Sequence, residues 1–366
     1  MNRREFMKES AAAAGMVFCG CGLAKAALGP PQAASGNRKR REVSVAGRRT
    51  RTIDIHAHCF SPEVWDLVKD KEKTNPFGGG ETGRLLNLQN FADRLAQMDE
   101  RGIDMQLLSM NPVWHWPERA LASEIARVHN HTVSQFCAAH PDRFAGLGTV
   151  ALQHPDLAAE QLQEAVTKLG LKGAMIGGSV NDEELSAPKF HPFWAKAEEL
   201  GALIFIHPQV GWDNVKRFDG NGWLGNIIGR PLESTLAISH LIFEGTLDRF
   251  PRLKICVAHA GGYLPHYVGR SERCGEGKIG RCKPVQKLPS EYLKRLYYDE
   301  LVFTSEGLRH LIAQVGVSQV TLGTDYPGDW SAPDAVDFVL RAPGLSNADR
   351  RAILGGNAEE LLKIRA

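Results

Sequence analysis

From about residue 52 onward, short apolar runs rich in β-branched residues alternate with longer amphipathic stretches, and the unit recurs eight times. Strict strand–helix alternation means parallel strands joined by helical crossovers. Eight such units in a chain of 366 residues predict an α/β fold, a closed (β/α)8 TIM barrel, over an open doubly wound sheet. No GxGxxG follows the first strand, which argues against a dinucleotide fold. The expected strands are Thr52–Ala57, Met105–Ser109, Phe144–Thr149, Gly173–Ile176, Leu203–His207, Lys254–Ala258, Leu301–Phe303 and Val320–Gly323. Between them, helices are expected over Leu88–Arg101, Glu118–Ala139, Asp156–Leu169, His191–Leu200, Leu232–Phe250 and Ser305–Val315, with others starting at Pro333 and ending near Leu362.

The first residues are of another kind. Asn2-Arg3-Arg4-Glu5-Phe6-Met7-Lys8 precedes an Ala-rich, mildly apolar run ending near Leu28, which is the pattern of a twin-arginine export signal. The run is too short and too weakly apolar for a membrane span. Residues 1–28 are therefore expected to be a signal peptide that sends the folded protein to the periplasm. Residues 29–51, with Pro30-Pro31 and a basic cluster, are expected to be a linker, and 52–366 the catalytic barrel domain. Eleven of the 44 Lys and Arg and three of the 42 Asp and Glu fall within the first 51 residues, leaving 33 basic and 39 acidic ones. The mature body is thus mildly acidic although the whole chain is +2, and nothing in the charge points to nucleic acid. Five cysteines remain after the leader, with no CxxC; Cys274 and Cys282 are a pair that an oxidising compartment could join.

In a barrel of this type the site lies at the C-terminal ends of the strands. His56 and His58 end the first strand, His207 the fifth, His259 the sixth and Asp325 the eighth. Residues two apart on a strand share a face, so the HxH pair can chelate one ion from the lumen. A third imidazole and a carboxylate complete an N/O set of the kind that binds one divalent metal, zinc foremost, with manganese or iron as alternatives.

DIHAHCFSPE, FIHPQ, CVAHAGGYLPHYVGR and TLGTDYP resemble the amidohydrolase-2 branch of the amidohydrolase superfamily, which includes decarboxylases of aminocarboxymuconate semialdehyde, γ-resorcylate and 5-carboxyvanillate. The resemblance runs from about Thr52 to Leu362 and is closest to the aminocarboxymuconate-semialdehyde decarboxylases, through RLAQMDERGIDMQLLS and GRPLESTLAISHLIFEGTLDRFPRLKICVAH. It implies that His56, His58, His207 and Asp325 are metal ligands. It also implies that His259 acts as acid/base beside the metal-bound water rather than on the metal. Arg270 matches an arginine that crosses a homodimer interface to a substrate carboxylate, and Trp223 falls near an active-site Trp. The segment GGGETGRLLNLQN departs from the family pattern, and Arg84 is its candidate for a further substrate-binding arginine. Lys172 stands at the start of its strand, the wrong end for a carbamylated lysine, so a single metal is expected. The implied activity is non-oxidative decarboxylation of a small aromatic or unsaturated carboxylic acid. The same metal and general base would also serve hydrolysis of a lactone or amide, and these motifs leave that alternative open.

Overall fold

The computed structural model describes residues 40–72, 75, 79–111, 114–209 and 215–364. The described residues all lie within one compact unit, Arg38–Ala366. The expected signal peptide (1–28) and residues 29–39 of the expected linker lie outside them.

Eight positions around a ring carry parallel strands: β1 Ile53–His58, β2 Met105–Ser109, β3 Phe144–Gly146, β4 Gly173–Ile176, β5 Leu203–Ile206, β6 Lys254–Val257, β7 Tyr297–Asp299 and β8 Val320–Thr321. Neighbours pair in parallel from β1 to β3 and from β4 to β8. After β3 the chain continues as Gly148–Thr149, which pairs with β4 and so joins the two halves of the ring. Closure is completed where Ile55 N donates to Leu322 O at 2.9 Å and His58 N to Tyr326 O at 2.7 Å. Gly173 shows how tightly the wall is built. Its φ is +154°, and an added Cβ would sit 1.8 Å from Leu203 O, so only glycine fits there.

Alternate residues of the strands, among them Met105, Leu107, Leu203, Phe205 and Cys256, form the inner core, closed from the other end by Ala358, Leu361 and Leu362 of the last helix. The intervening residues, such as Leu108, Ile204, Ile206 and Val257, pack outward against the helices. This period-two partition is what seats apolar layers beneath a polar rim.

Most helices start and stop where the sequence predicts. Gly102 (φ 73°) and Gly201 (φ 59°) take the left-handed conformation that ends Phe91–Arg101 and His191–Leu200. Three expectations change. The helix expected over Leu232–Phe250 is Arg230–Phe243 followed by Thr246–Arg249, broken at Gly245 with φ 78°. Strand β7 lies at Tyr297–Asp299 instead of Leu301–Phe303, and Phe303 has φ 57° and is exposed. Two tyrosines and an aspartate form the strand, and a search for aliphatic runs passes over them. Within the expected linker, Ser44–Val45 and Arg48–Arg49 pair as an antiparallel hairpin, with Val43 and Val45 buried in the main core. Arg49 also reaches Asp104 at 2.6 Å. The basic composition of this stretch hides an anchored element, so the folded unit begins before residue 52.

Candidate metal centre

The HxH pair owes its position to a break in the strand. In β1, Ile53 is level with Met105 and His58 with Ser109, and the register shifts between Asp54 and Ala57. Ile53 and Ile55 join the inner core. Uninterrupted alternation would then turn His56 and His58 outward. The shift re-aims both imidazoles into the lumen, a familiar use of a bulge beside a functional site. Asp54 holds the irregular turn of chain. Its carboxylate accepts from His56 N (3.1 Å), Gln106 Nε2 (2.9 Å) and Thr324 Oγ1 (2.6 Å).

His207, directly after β5, and Asp325, four residues after β8, converge on this pair. Ligand atoms of His56, His58, His207 and Asp325 all lie within 4.8 Å of one another. His56 Nε2 is 3.1 Å from His58 Nε2 and 3.2 Å from Asp325 Oδ1, and His58 Nε2 is 2.9 Å from the same oxygen. Asp325 sits at φ 55°, a left-handed conformation that Asp tolerates better than most residues. Its neighbour Tyr326 forms a cis peptide bond with Pro327.

The donors fit a divalent cation by a test independent of spacing. Among the described residues, both ring nitrogens of buried His207 lack a hydrogen-bond partner, as does Nδ1 of His58. A buried polar atom left unpaired costs about 1–3 kcal/mol, and a metal bond removes that cost. Burial, together with the neighbouring imidazoles, lowers the pKa of His58 to about 4 and that of His207 well below its ordinary value. Neutral imidazoles keep the lone pair that a metal needs. Burial alone would raise the Asp325 pKa, yet His56 and the hydrogen bonds from His259, His56 and His58 hold it well below the usual carboxylate range. Burial likewise opposes charge on His56, but Asp325 and Asp299 outweigh it and push that imidazole up to about 10. The carboxylates thus call for a positive charge at the centre, which a divalent ion would supply.

Asp299 is the residue that sequence reasoning missed. It ends β7, fully buried, and its Oδ2 lies 2.7 Å from His56 Nδ1. It also accepts from His259 N (2.9 Å) and Ala260 N (2.8 Å). One carboxylate therefore orients a ligand imidazole, leaving its Nε2 for the ion, and holds the backbone that carries His259. Gly323 gives it room: a Cβ there would stand 2.7 Å from Asp299 Cβ and 3.1 Å from His56 Cβ. The available signal was the acidic pair Asp299-Glu300 after Tyr297-Tyr298, a polar end to a strand read as lying four residues later. Carboxylate partners of ligand histidines contribute roughly 10–100-fold to metal affinity or activity. Asp299→Asn is expected to weaken metal binding within that range, measured by chelator competition; unchanged affinity would remove this role.

His259 lies just outside the cluster. It begins a turn after β6, with φ 53°, and its Nε2 is 3.4 Å from Asp325 Oδ2. It lines a cleft of about 480 Å³ together with Asp325, Arg230, Leu301, Phe303 and Trp330. The ring can therefore face a small molecule in the cleft while Asp325 faces the ion.

The other expected site residues are dispersed. Trp223 is exposed, with its ring centroid 6.4 Å from that of Trp330, which lines the cleft. Arg270, on the helix Val268–Gly275, lines surface clefts with Tyr267 and Arg273 that lack both His259 and Asp325. Arg84 pairs with Asp93 and lies 3.8 Å from Glu81, and it is not among the described residues that line the His259 cleft. Cys274 and Cys282 form a disulfide with a Cα–Cα distance of 5.2 Å, closing the segment that follows the Arg270 helix. Cys59 is buried, free and packed in the outer core, as alternation with His58 predicts.

Comparison with known proteins agrees with this geometry. A family model described as Amidohydrolase (Amidohydro_2) matches residues 53–364. A 2-amino-3-carboxymuconate-6-semialdehyde decarboxylase of Dictyostelium discoideum is 32% identical over 336 residues, covering 86% of this chain and 92% of the relative. The crystal structure of 5-carboxyvanillate decarboxylase from Sphingomonas paucimobilis superposes with a TM-score of 0.78 at 30% identity, covering 86% of this chain and 100% of the other. A dihydroxybenzoic acid decarboxylase from a Polaromonas species, solved with manganese and the inhibitor 2-nitroresorcinol, has a TM-score of 0.75 at 28% identity, covering 87% of this chain and 98% of that one.

Proposed function

The chain belongs to the Amidohydro_2 family of amidohydrolases, and from that premise we propose that it is a metal-dependent, non-oxidative decarboxylase of a small aromatic or unsaturated carboxylic acid. The observation that carries the reading is the convergence of His56, His58, His207 and Asp325, with His259 Nε2 3.4 Å from Asp325 in the cleft that both line. Named relatives that are decarboxylases support the reaction class.

His56, His58, His207 and Asp325 would hold one divalent ion. When bound, it supplies Lewis acidity that stabilises the electron-rich carbon skeleton left as CO₂ departs. The residues of the chain do the rest. The carbon–carboxylate bond breaks and its electron pair stays on carbon. His259 delivers a proton to that carbon and recovers one from solvent, while Asp325 Oδ2 steadies the charged imidazole. Leu301, Phe303 and Trp330 give the cleft beside His259 apolar surface on which an aromatic or unsaturated acid would lie.

The ion is proposed to be zinc, a choice three imidazoles and a carboxylate support; the manganese in the Polaromonas relative makes manganese the alternative that metal analysis decides. A homodimer is proposed to bring Arg270 of one copy to the substrate of the other, since on its own chain Arg270 lies beside exposed Tyr267 in a surface cleft; sedimentation as a single chain would contradict it. Export to the periplasm by the twin-arginine route is proposed from Arg3 and Arg4. No described helix is long and apolar enough to cross a membrane. Replacing Arg3→Lys and Arg4→Lys is expected to retain the protein in the cytoplasm on fractionation, and unchanged export would refute the signal.

The reaction class is tested by measuring CO₂ release and ester, lactone and amide hydrolysis side by side on a panel of aromatic and unsaturated acids and their derivatives. CO₂ release without hydrolysis is the expected result. Hydrolysis without CO₂ release would overturn it in favour of an amidohydrolase or lactonase.

A further inference from the structure

A fully buried arginine stands next to the metal centre without lining the His259 cleft. Arg94, on the helix Phe91–Arg101, donates through Nη2 to His58 O at 2.5 Å and to Leu85 O at 3.0 Å, and through Nη1 to Gln106 Oε1 at 3.1 Å. Its guanidinium carbon is 4.5 Å from the centroid of the Tyr326 ring. Among the described residues no carboxylate pairs with it directly. A buried charge without a direct counter-ion is costly, and an apolar side chain of similar volume is often as stable or more so. Fold stability alone therefore gives no reason for an arginine here.

Gln106, on β2 and also fully buried, couples Arg94 to a carboxylate: its Nε2 donates to Asp54 Oδ2 at 2.9 Å. With a donor on one side and an acceptor on the other, the amide can lie only one way round. Asp54 also accepts from His56 N (3.1 Å), Thr324 N (3.0 Å) and Thr324 Oγ1 (2.6 Å). Thr324 Oγ1 in turn accepts from Tyr326 N at 3.2 Å. The relay Arg94–Gln106–Asp54 therefore grips the chain at the ligands themselves. It holds His56 by its amide and His58 by its carbonyl, and it holds Thr324 and Tyr326 on either side of Asp325.

We propose that Arg94, acting through Gln106 and Asp54, is a positioning residue that sets the distances among His56, His58 and Asp325, and with them the affinity and coordination geometry of the ion. This rests on the four-donor centre of the functional reading and not on the reaction class. The register shift between Asp54 and Ala57 deprives this part of β1 of a regular ladder, so something else must hold it. Arginine suits that task, because its planar fork can bond the end of β1, Leu85 and Gln106 at once while its face lies against Tyr326. Donors to an ion must be held to within about 0.5 Å of the productive arrangement, which calls for support of this kind behind them.

The test is a titration of cobalt(II) into the metal-free full chain, with affinity from chelator competition and donor geometry from the visible absorption bands of the bound ion. Arg94→Met is expected to weaken cobalt binding about tenfold or more and to shift the bands, at temperatures where circular dichroism shows the variant folded. Arg94→Lys should fall between the parent and Arg94→Met, keeping the charge but losing the fork that spans three acceptors. Gln106→Met cuts the relay while leaving Arg94 its two carbonyl bonds. It is expected to shift the same bands, and it decides the matter if Arg94→Met does not fold. A lower melting temperature of the metal-free variants, with parent-like affinity and bands, would make Arg94 part of the scaffold only and overturn the proposal. Parent-like behaviour throughout would overturn it too. A parent that binds no cobalt would overturn the four-donor centre and this proposal with it, whereas parent-like variants of a cobalt-binding parent overturn this proposal alone.

Discussion

His207→Ala is expected to leave a folded barrel that holds almost no metal and releases no CO₂ above background. The two nitrogens of His207 have no other employment in the described structure, so removing the ring breaks no hydrogen bond of the scaffold. It does remove one of four donors. Partners that merely orient a ligand contribute roughly 10–100-fold, and loss of a direct ligand should exceed that. Elemental analysis after dialysis, with circular dichroism to establish folding, checks the result. Full metal content in the variant would show that His207 is a buried histidine with no ligand role, and the four-donor centre would then be wrong.

His259→Asn should do the opposite to metal and the same to turnover. Asparagine is among the few residues at ease near φ 53°, so the turn that Asp299 holds can persist. Its amide cannot transfer a proton at neutral pH. Loss of a positioned acid/base typically lowers the rate by about 10²–10⁴. The expected outcome is a fall in kcat of that order with metal content as in the parent. A fall of only a few-fold would place the proton transfer elsewhere. Loss of the metal would instead make His259 a ligand. The two variants together separate holding the ion from using it.

The parts of the site that were legible in the sequence are those where one residue type at one spacing has one physical reading. Two histidines separated by one residue on a strand share a face. A histidine or aspartate closing an apolar run stands at the rim of a barrel. His56, His58, His207 and Asp325 are of this kind, and the fold brings them together. Other features depend on what no local pattern records. The bulge that turns His56 and His58 inward exists because β1 meets β2 in two registers, and pairing across 50 residues leaves no local mark. Asp299 was hidden by its strand: Tyr297 and Tyr298 fill the role that aliphatic residues fill in strands such as β4 and β5. The hairpin at Ser44–Arg49 was hidden by charge: Arg48 and Arg49 are exposed, while Val43 and Val45 carry the burial and Asp104 anchors Arg49. Arg270 and Arg84 carry the family likeness or its gap, yet among the described residues of one chain neither lines the cleft that His259 and Asp325 share. Arg230 drew no notice as a residue, because an arginine before a proline at a helix start is ordinary until the fold sets it on the cleft that His259 also lines.

The central claim is that one divalent ion, held by this set of donors, is required for CO₂ release. The most direct measurement is a titration of metal into chelator-stripped protein, following CO₂ release from an aromatic acid that the intact protein decarboxylates. Activity is expected to be absent at the start, to rise linearly and to stop at about one equivalent per chain. CO₂ release that persists without metal, or a break at about two equivalents, would contradict it.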